Sequence, residues 1–311
     1  MDKVQGITNV IVVGAGGSLN PVVIASLQSL GFVVSVLVRD ASAAVPPAGV
    51  TCHRTDYSNM SLVKAFKAQD AVVNTITMAD SSEQKNIIDA AVEAGVKRFL
   101  PAEFGIDTAI QSTVEIVPFL RVKPEIVEYL RSLESSITWT SIVTGPFFDW
   151  SLRNGWFSFN VPSRTAYLHK THQDHRFSCS TLSTVANAIA RCLLPENGPS
   201  TINRYIHVRS FTVNQREIMT SLEKASTEFD QREGRQPKAW DVIEVNLEDK
   251  VAESHQKLAQ GDMSALGFML SKAIYAMNSD FDATGVAMNE TLGMEPAESL
   301  DEVTKRVVSE Y

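Results

Sequence analysis

The amino-acid sequence predicts an α/β protein with a Rossmann-type, doubly wound parallel sheet and a smaller, mixed α/β substrate domain. Two observations lead to this prediction. First, β-branched runs alternate with segments whose apolar residues recur at helical spacing, and the connections between them are short, as in parallel βαβ units. Second, the pattern changes after about residue 150 to aromatic, turn-rich and then charged segments. With 311 residues, the chain is long enough to bury a large core.

The elements of the first half follow one another in a regular order. The first strand, NVIVVGA, is a β-branched run typical of a strand buried on both faces. The helix PVVIASLQSL comes next and ends at Gly31, and the strand FVVSVLVR follows. A third strand ends near RTDYSN. The later segments are, in chain order, the helix SLVKAFKAQ, the strand DAVVNTIT, the helix SSEQKNIIDAAVEAGV with a serine cap, the strand KRFLPAEFG, the helix PEIVEYLRSLE and the strand ITWTSIVTG.

The change of pattern also predicts the domain organisation. We expect a dinucleotide-binding domain over residues 1–155, to which residues 181–210 return with the amphipathic helix TLSTVANAIARCLL. Residues 156–180 and 211–311 then form the substrate domain. A monomer or a homodimer is expected.

Composition excludes several classes of function. The net charge of −8 argues against a nucleic-acid surface, which needs a basic patch. No run of 18 apolar residues and no N-terminal apolar core is present, so we expect a cytoplasmic protein without membrane contact. Cys52, Cys179 and Cys192 are widely spaced and odd in number, which predicts neither a disulfide framework nor a zinc site.

A glycine-rich turn, GAGGSLN, lies between the first strand and the first helix. Its glycines allow a tight turn and a close approach of the backbone to a pyrophosphate, at which the helix directs free N–H groups. The predicted cofactor-binding residues of this turn are Gly14, Gly16, Gly17, Ser18 and Leu19. Asn20 stands where such turns usually have a third glycine. Because that glycine serves helix–strand packing, we expect Asn20 to strain packing more than it harms phosphate binding.

The second strand ends in Arg39 and Asp40. An arginine at this point can pair with a 2′-phosphate and favours NADPH, whereas an acid is typical of NAD enzymes, so the neighbouring Asp40 leaves NAD open. Asp56 can face the adenine or cap its own loop. Thr75 and Phe147, which follow later strands, are also predicted to bind the cofactor. Because ligands bind at the carboxyl ends of parallel strands, residues 74–77, 101–105 and 144–148 should converge on one cleft with the glycine turn.

Four strings resemble the NmrA-like, isoflavone-reductase-like family of atypical short-chain dehydrogenases/reductases. They are VVGAGGSLNPVVIASLQSLGFVVSVLVRD, KRFLPAEFGID, VKPEIVEYL and TGPFFDW, and the resemblance covers most of residues 8–215. It implies NADPH as cofactor and places Lys123 near the nicotinamide, as an acid/base or as an anchor for the ribose. Phe119 stands where ordinary short-chain dehydrogenases have a tyrosine. The reductase branch of the family also lacks this tyrosine. Since Pro124 follows Lys123, the lysine is expected at the helix start.

An aromatic cluster follows the last strand of the cofactor domain. Core packing and pocket lining are both open for such a cluster at a strand end. The predicted substrate-pocket residues are Phe104, Phe148, Trp150, Trp156 and Phe157, and Met263, Met269 and Tyr275 can add to the wall. His169, His172 and His175 lie three residues apart, a spacing that suits a loop better than a metal site, so no metal is expected.

The sequence therefore predicts an NADPH-dependent reductase of a small, largely apolar aromatic or polycyclic metabolite, with a role in specialised metabolism. Hydride would go to a C=C, C=N or quinone-methide-like carbon, and Lys123 would assist proton movement. Two alternatives stay open: a non-enzymatic NAD(P)-binding sensor of the NmrA type, and a redox-neutral isomerase or cyclase on the same scaffold.

Overall fold

Seven parallel strands form the main sheet of the protein. The computed structural model describes residues 6–14, 16–76, 80–262, 266–276, 279–294 and 298–311. With strands numbered along the whole chain, the members of this sheet are β1 (Asn9–Val13), β2 (Val33–Arg39), β3 (Thr51–Thr55), β4 (Ala71–Asn74), β5 (Arg98–Leu100), β6 (Thr138–Val143) and β10 (Arg204–His207). Their spatial order is β10-β6-β5-β4-β1-β2-β3, which confirms the predicted doubly wound parallel sheet.

Helices cover both faces of this sheet. One face packs against α1 (Asn20–Ser29) and α7 (Leu182–Cys192), whose apolar side chains share one core cluster with the strands. On the other face lie α2 (Asn59–Phe66), α3 (Ser81–Glu93) and α5 (Val122–Ser132). α7 and β10 both come from the segment 181–210. The strands are buried on both faces, which explains their near-continuous apolar sequence.

The remaining elements form a smaller, mixed α/β part. Its strands are β7 (Phe159–Asn160), β8 (Thr165–His169) and β12 (Asp241–Val245) in one small sheet, and β9 (Phe177–Cys179) paired with β11 (Phe211–Val213). Its main helices are α6 (Phe148–Arg153), α9 (Gln215–Arg232), α10 (Leu247–Ala259), α11 (Leu266–Tyr275) and α12 (Leu300–Val308). Two further short helices are α4 (Gln111–Ile116) and α8 (Gly198–Thr201). The exact division into domains stays a prediction.

The ends of two helices illustrate how local sequence sets the fold. Gly31 has φ +86° after the end of α1, where a left-handed residue is needed. α3 was predicted to begin with a serine cap, but Asp80 is the cap, and its carboxylate accepts a hydrogen bond from the Glu83 amide at 2.9 Å. An aspartate satisfies the free amides of a first turn as well as serine does. None of the helices in the described ranges is long and apolar enough to cross a membrane.

Hydrogen bonds between loops hold the carboxyl edge of the sheet together. The Thr144 amide donates to the Gly105 carbonyl at 3.1 Å, which ties the loops after β5 and β6 to each other. The Phe148 amide donates to the Ser180 carbonyl at 2.8 Å. Gly145 lies so close to the Ser178 backbone that a Cβ there would collide with it. These contacts bring the loop after β6 against β9, and so place the smaller part of the molecule over this edge.

Candidate active site

The glycine turn leaves open space where a phosphate group could approach. Gly14 and Gly17 have φ values of +98° and +85°, which only glycine adopts readily. A Cβ on Gly16 or Gly17 would meet nothing within 4 Å in the described structure, whereas one on Gly14 would press on Thr75 Oγ1 at 3.0 Å. Gly14 is therefore needed for packing, and Gly16 and Gly17 form the open part of the turn.

The start of α1 adds free amide groups to this open turn. Leu19 occupies the N-cap position, and no side chain among the described residues caps the helix. Ser18 is exposed and Leu19 is partly buried. An uncapped helix N-terminus beside an open glycine turn is suited to an anion, because its amides and its dipole both favour negative charge.

Asn20 lies under the turn and holds it from below. Its side chain is 4% exposed, and Nδ2 donates to the Gly16 carbonyl at 2.6 Å. The expectation of strained packing is not what the structure shows: in place of a third glycine, the amide makes a hydrogen bond within the turn. The Asn20 Oδ1 atom is buried, with no hydrogen-bond partner among the described residues.

A second groove lies at the ends of β2 and β3. Arg39 is 66% exposed at its side chain, contacts Glu83 Oε1 at 3.2 Å and lies over the Tyr57 ring, with 5.3 Å to the centroid. Asp56 caps its own loop by accepting hydrogen bonds from the Ser58 amide and hydroxyl, which lower the pKa of Asp56. The groove residues are Arg39, Asp40, Ala41, Thr55, Asp56, Tyr57 and Glu83.

Lys123 lies at the start of α5, as the following proline predicts, and faces the loop after β5. Its Nζ donates a hydrogen bond to the backbone carbonyl of Glu103. The Glu103 side chain is 1% exposed, and its Oε1 accepts a hydrogen bond from the Thr108 hydroxyl at 2.5 Å. Glu103 Oε2 has no hydrogen-bond partner within the described part of the chain.

Burial shifts both ionisable groups of this pair toward their neutral forms. It lowers the pKa of Lys123, and the nearby Glu103 opposes that shift. It also raises the pKa of Glu103, against the opposing effects of Lys123 and the Thr108 hydroxyl. Two neighbouring ionisable groups whose pKa values are both shifted toward neutrality mark this pair as a candidate for proton transfer.

An apolar pocket opens beside Lys123. It has a volume of about 800 Å³, including space open to solvent, which fits a small-molecule ligand. Trp150 and Trp156 are stacked in its wall with 6.2 Å between ring centroids. The predicted site residues that line it are Phe104, Lys123, Phe147, Trp150, Trp156 and Phe157.

The structure places other predicted pocket residues elsewhere. Phe148 is fully buried, with its ring 4.9 Å from that of Phe211, because α6 turns this side chain into the core of the smaller part. Tyr275 is also fully buried, and Met269 packs in a separate cluster with α10. None of the three lines the pocket, and the prediction for Phe148 is corrected accordingly. Met263 lies outside the described residues, as does Thr77 of the strand end 74–77.

Sequence reasoning missed much of the pocket's outer wall. α11 contributes Gly267, Leu270, Ser271 and Ile274, and Ile106 and Leu120 complete the sheet side. The helical spacing of residues 267, 270, 271 and 274 marks one face of α11, but sequence alone does not tell which cavity that face lines. Glu83 and Glu103 were also missed.

The three histidines do not come together as metal ligands. His169 is fully buried and hydrogen-bonded to Ser158, while the rings of His172 and His175 are in edge contact at 5.2 Å. Within the described ranges, no group of three or more His, Cys, Asp or Glu side chains could hold a metal ion.

Comparisons with known proteins agree on one family. The model of the NmrA-like family matches residues 7–172. Oxidoreductase aprR of Aspergillus flavus is 33% identical over 308 residues, covering 96% of this chain and 98% of that protein. The isoflavone reductase homolog IRL of Zea mays is 35% identical over 158 residues, covering 47% of this chain and 50% of that protein.

A solved structure extends the likeness to the whole fold. AtPrR2 with NADP+ and (+)pinoresinol matches with a TM-score of 0.74 at 20% identity, covering 97% of this chain and 99% of that one. At this identity the likeness concerns the fold, and it includes the smaller part as well as the parallel sheet.

Proposed function

This chain belongs to the NmrA-like family, and we propose that it is an NADPH-dependent reductase of a small, largely apolar aromatic or polycyclic metabolite. The predicted oxidoreductase class is confirmed by its fungal relative. The identity of the substrate and the reduced bond, whether C=C, C=N or a quinone-methide-like carbon, belong to the proposal.

One observation carries the proposal. Lys123, half-buried and with a lowered pKa, lines an aromatic pocket beside the carboxyl ends of β5 and β6, at the same edge of the sheet as the glycine turn after β1. The sheet edge thus combines a suitable place for a dinucleotide with an apolar pocket for a substrate. AtPrR2, which shares this fold, is solved with NADP+ and (+)pinoresinol, and that supports the same combination here.

The residues of this chain fit the cofactor at both ends. The open turn at Gly16 and Gly17, with the uncapped start of α1, would hold the pyrophosphate. Arg39, exposed in its groove, would pair with the 2′-phosphate. Thr75 follows β4 and Phe147 comes after β6, and Phe147 also lines the substrate pocket. When bound, NADPH would supply the hydride.

Lys123 would donate the proton that a reduction requires, and Glu103 would hold Lys123 in position. An ammonium whose pKa burial has lowered donates a proton more readily than an ordinary lysine. Glu103 holds Nζ through its backbone carbonyl, which fixes where that proton is offered. The aromatic wall orients the substrate and excludes water from its apolar part.

The test is NADPH consumption across a panel of aromatic and polycyclic metabolites. We expect the absorbance of NADPH to fall with at least one compound, with a reduced product detected by mass spectrometry. Tight binding of NADPH without turnover of any compound would instead support the sensor. Conversion of a compound without oxidation of NADPH would support the isomerase or cyclase.

A further inference from the structure

A chain of three polar side chains leads from the pocket wall into the core. Ser271 of α11 lines the pocket, and its Oγ lies 3.4 Å from Ser158 Oγ. Ser158 Oγ in turn lies 3.1 Å from His169 Nε2. The far ring nitrogen of His169, Nδ1, is buried and no described residue offers it a hydrogen bond.

The three hydrogen-bonded side chains, Ser271, Ser158 and His169, lie in strongly apolar surroundings. His169 is 0% exposed and its ring makes an edge contact with Tyr275, with 4.9 Å between centroids. Phe157 and Phe177 pack close by, with 5.8 Å between their ring centroids. Burying polar groups in such a place destabilises a protein unless their hydrogen bonds are made, and one remains unmade here. Stability alone therefore does not account for this arrangement.

The loop that presents Ser158 is held in an unfavourable backbone conformation. Phe157 and Ser158 have φ values of +65° and +66°, a left-handed region that side chains with a Cβ adopt rarely. The Tyr275 hydroxyl donates to the Phe157 carbonyl at 2.9 Å and fixes the loop. Strained residues held by their surroundings concentrate at functional sites.

The buried histidine determines which groups donate and which accept along the hydrogen-bonded series His169, Ser158 and Ser271. Burial lowers the pKa of His169 to about 4, so the ring is neutral at pH 7 and has one N–H. An unpaired buried N–H is rarer in proteins than an unpaired acceptor, so the proton belongs on Nε2 and not on the orphaned Nδ1. Nε2 then donates to Ser158, and Ser158 donates to Ser271. The Ser271 hydroxyl hydrogen is left to point into the pocket.

We propose that Ser271 is a hydrogen-bond donor for an acceptor oxygen of the substrate, and that Ser158 and His169 are the positioning residues that set its direction. The proposal deepens the proposed function and rests on it only in taking this pocket as the substrate site. It narrows the substrate class to aromatic molecules that carry a carbonyl, ether or other acceptor oxygen within reach of α11.

The test compares two probes, benzophenone and diphenylmethane, which differ in that a carbonyl group in the first replaces a methylene group in the second. Their dissociation constants are measured by isothermal titration calorimetry with the full chain and with the Ser271→Ala, Ser158→Ala and Ser254→Ala variants. Ser254 is a buried helical serine outside the pocket, so Ser254→Ala is the matched control. Binding needs no turnover, so the result is independent of whether NADPH is ever oxidised.

We expect the preference for the ketone over the hydrocarbon to fall about fivefold in Ser271→Ala, the size of one ordinary hydrogen bond. Ser158→Ala should lower this preference by a smaller factor, and Ser254→Ala should leave it unchanged. General damage to the pocket would weaken both probes equally and leave the ratio as it was. An unchanged ratio in Ser271→Ala, or a pocket that binds neither probe, overturns the proposal.

A second measurement tests the direction of the chain. Long-range ¹H–¹⁵N correlation spectra of the full chain distinguish the two neutral tautomers of His169, with His169→Gln used to assign its signals. We expect Nε2–H at pH 7. An Nδ1–H tautomer would reverse the chain, make Ser271 an acceptor toward the pocket and overturn the proposal.

Discussion

The sheet side and the outer wall of the pocket are built in different ways. On the sheet side, the loops after β5 and β6 are joined by a backbone hydrogen bond, and the polar groups are the ionisable pair Lys123 and Glu103. On the outer wall, α11 packs through side chains, and the polar groups are Ser271, Ser158 and a neutral histidine. The sheet side therefore presents an ionisable pair to the pocket region, whereas the outer wall presents neutral hydrogen-bonding groups.

Substituting Lys123 tests the proposed role of the sheet side in proton transfer, and we expect the largest effect from it. Lys123→Ala should reduce kcat about 10²–10⁴-fold, the usual contribution of a general acid or base. Lys123→Arg keeps the charge but stays protonated, so it should fail nearly as badly if a proton is transferred and recover activity if only the charge matters. Steady-state kinetics with the substrate from the panel measures both.

The pH dependence of kcat distinguishes the two possible roles of Lys123, and a variant of a surface lysine serves as the control. If Lys123 donates a proton, kcat falls as pH rises through its lowered pKa; if it accepts one, kcat rises over the same range. Lys64→Ala, on the exposed side of α2, should leave kcat unchanged. Full activity of Lys123→Ala would remove this residue from the mechanism.

A side chain at Gly17 tests the cofactor end of the sheet side. Gly17→Val places methyl groups in the open space of the turn, where the pyrophosphate would lie, and should weaken NADPH binding at least about 100-fold, roughly 2.7 kcal/mol. Gly95→Val is the matched control, because Gly95 has a similar φ of +79° and open surroundings but precedes β5 at the other edge of the sheet. Fluorescence titration that finds equal losses in the two variants would assign the effect to backbone strain.

The same contrast explains how far the sequence could be read. β-branched runs, helix ends and the residues at strand ends are set by local patterns, so the sheet and the placement of Lys123 and the glycine turn were predictable. Phe148 and Ser271 were not, since which helix face borders the pocket depends on packing between segments that are far apart in the sequence. The Arg39–Glu83 contact joins β2 to the first turn of α3 and has no local signal either.

Arg39 tests the choice of cofactor. Loss of its charge-assisted contact with the 2′-phosphate should cost about 1.5–3 kcal/mol, so Arg39→Ala should erase most of a preference for NADPH over NADH. Glu83→Gln should act in the opposite direction by a few-fold, because it removes a carboxylate that pairs with Arg39 and would repel the phosphate. Titration with both cofactors measures this. Equal affinities for NADPH and NADH in the unaltered protein would contradict the assignment.

The pH dependence of the free energy of unfolding tests whether His169, and with it the outer wall, is neutral in the folded protein. Its pKa is about 4 when folded and 6.5 when exposed, so the unfolded chain binds an extra proton between these values. Stability from this residue is thus complete above pH 6.5, declines as pH falls and is fully lost below pH 4. The loss between pH 7 and pH 5 should be about 2 kcal/mol.

Urea unfolding at pH 7 and pH 5 measures that loss. In His169→Gln, which does not titrate, the difference in unfolding free energy between the two pH values should shrink by that amount. His255→Gln, at an exposed position of α10, should keep the full difference. A His169→Gln variant with the same pH dependence as the unaltered protein would mean that folding does not lower the pKa of His169.

We expect the smallest effect from substituting Asn20. This substitution tests whether the glycine turn depends on the hydrogen bond from the Asn20 side chain to the Gly16 carbonyl. Asn20→Gly removes the hydrogen bond to the Gly16 carbonyl, worth about 1 kcal/mol, but also removes the buried Oδ1 that has no partner in the described structure. Because these two changes oppose each other, the affinity for NADPH should stay within a few-fold. Asn20→Asp should weaken binding more, since a carboxylate cannot donate to that carbonyl and brings negative charge beneath the pyrophosphate. A change above tenfold in Asn20→Gly, about 1.4 kcal/mol, would show that the side-chain amide, and not the glycines alone, shapes the phosphate site.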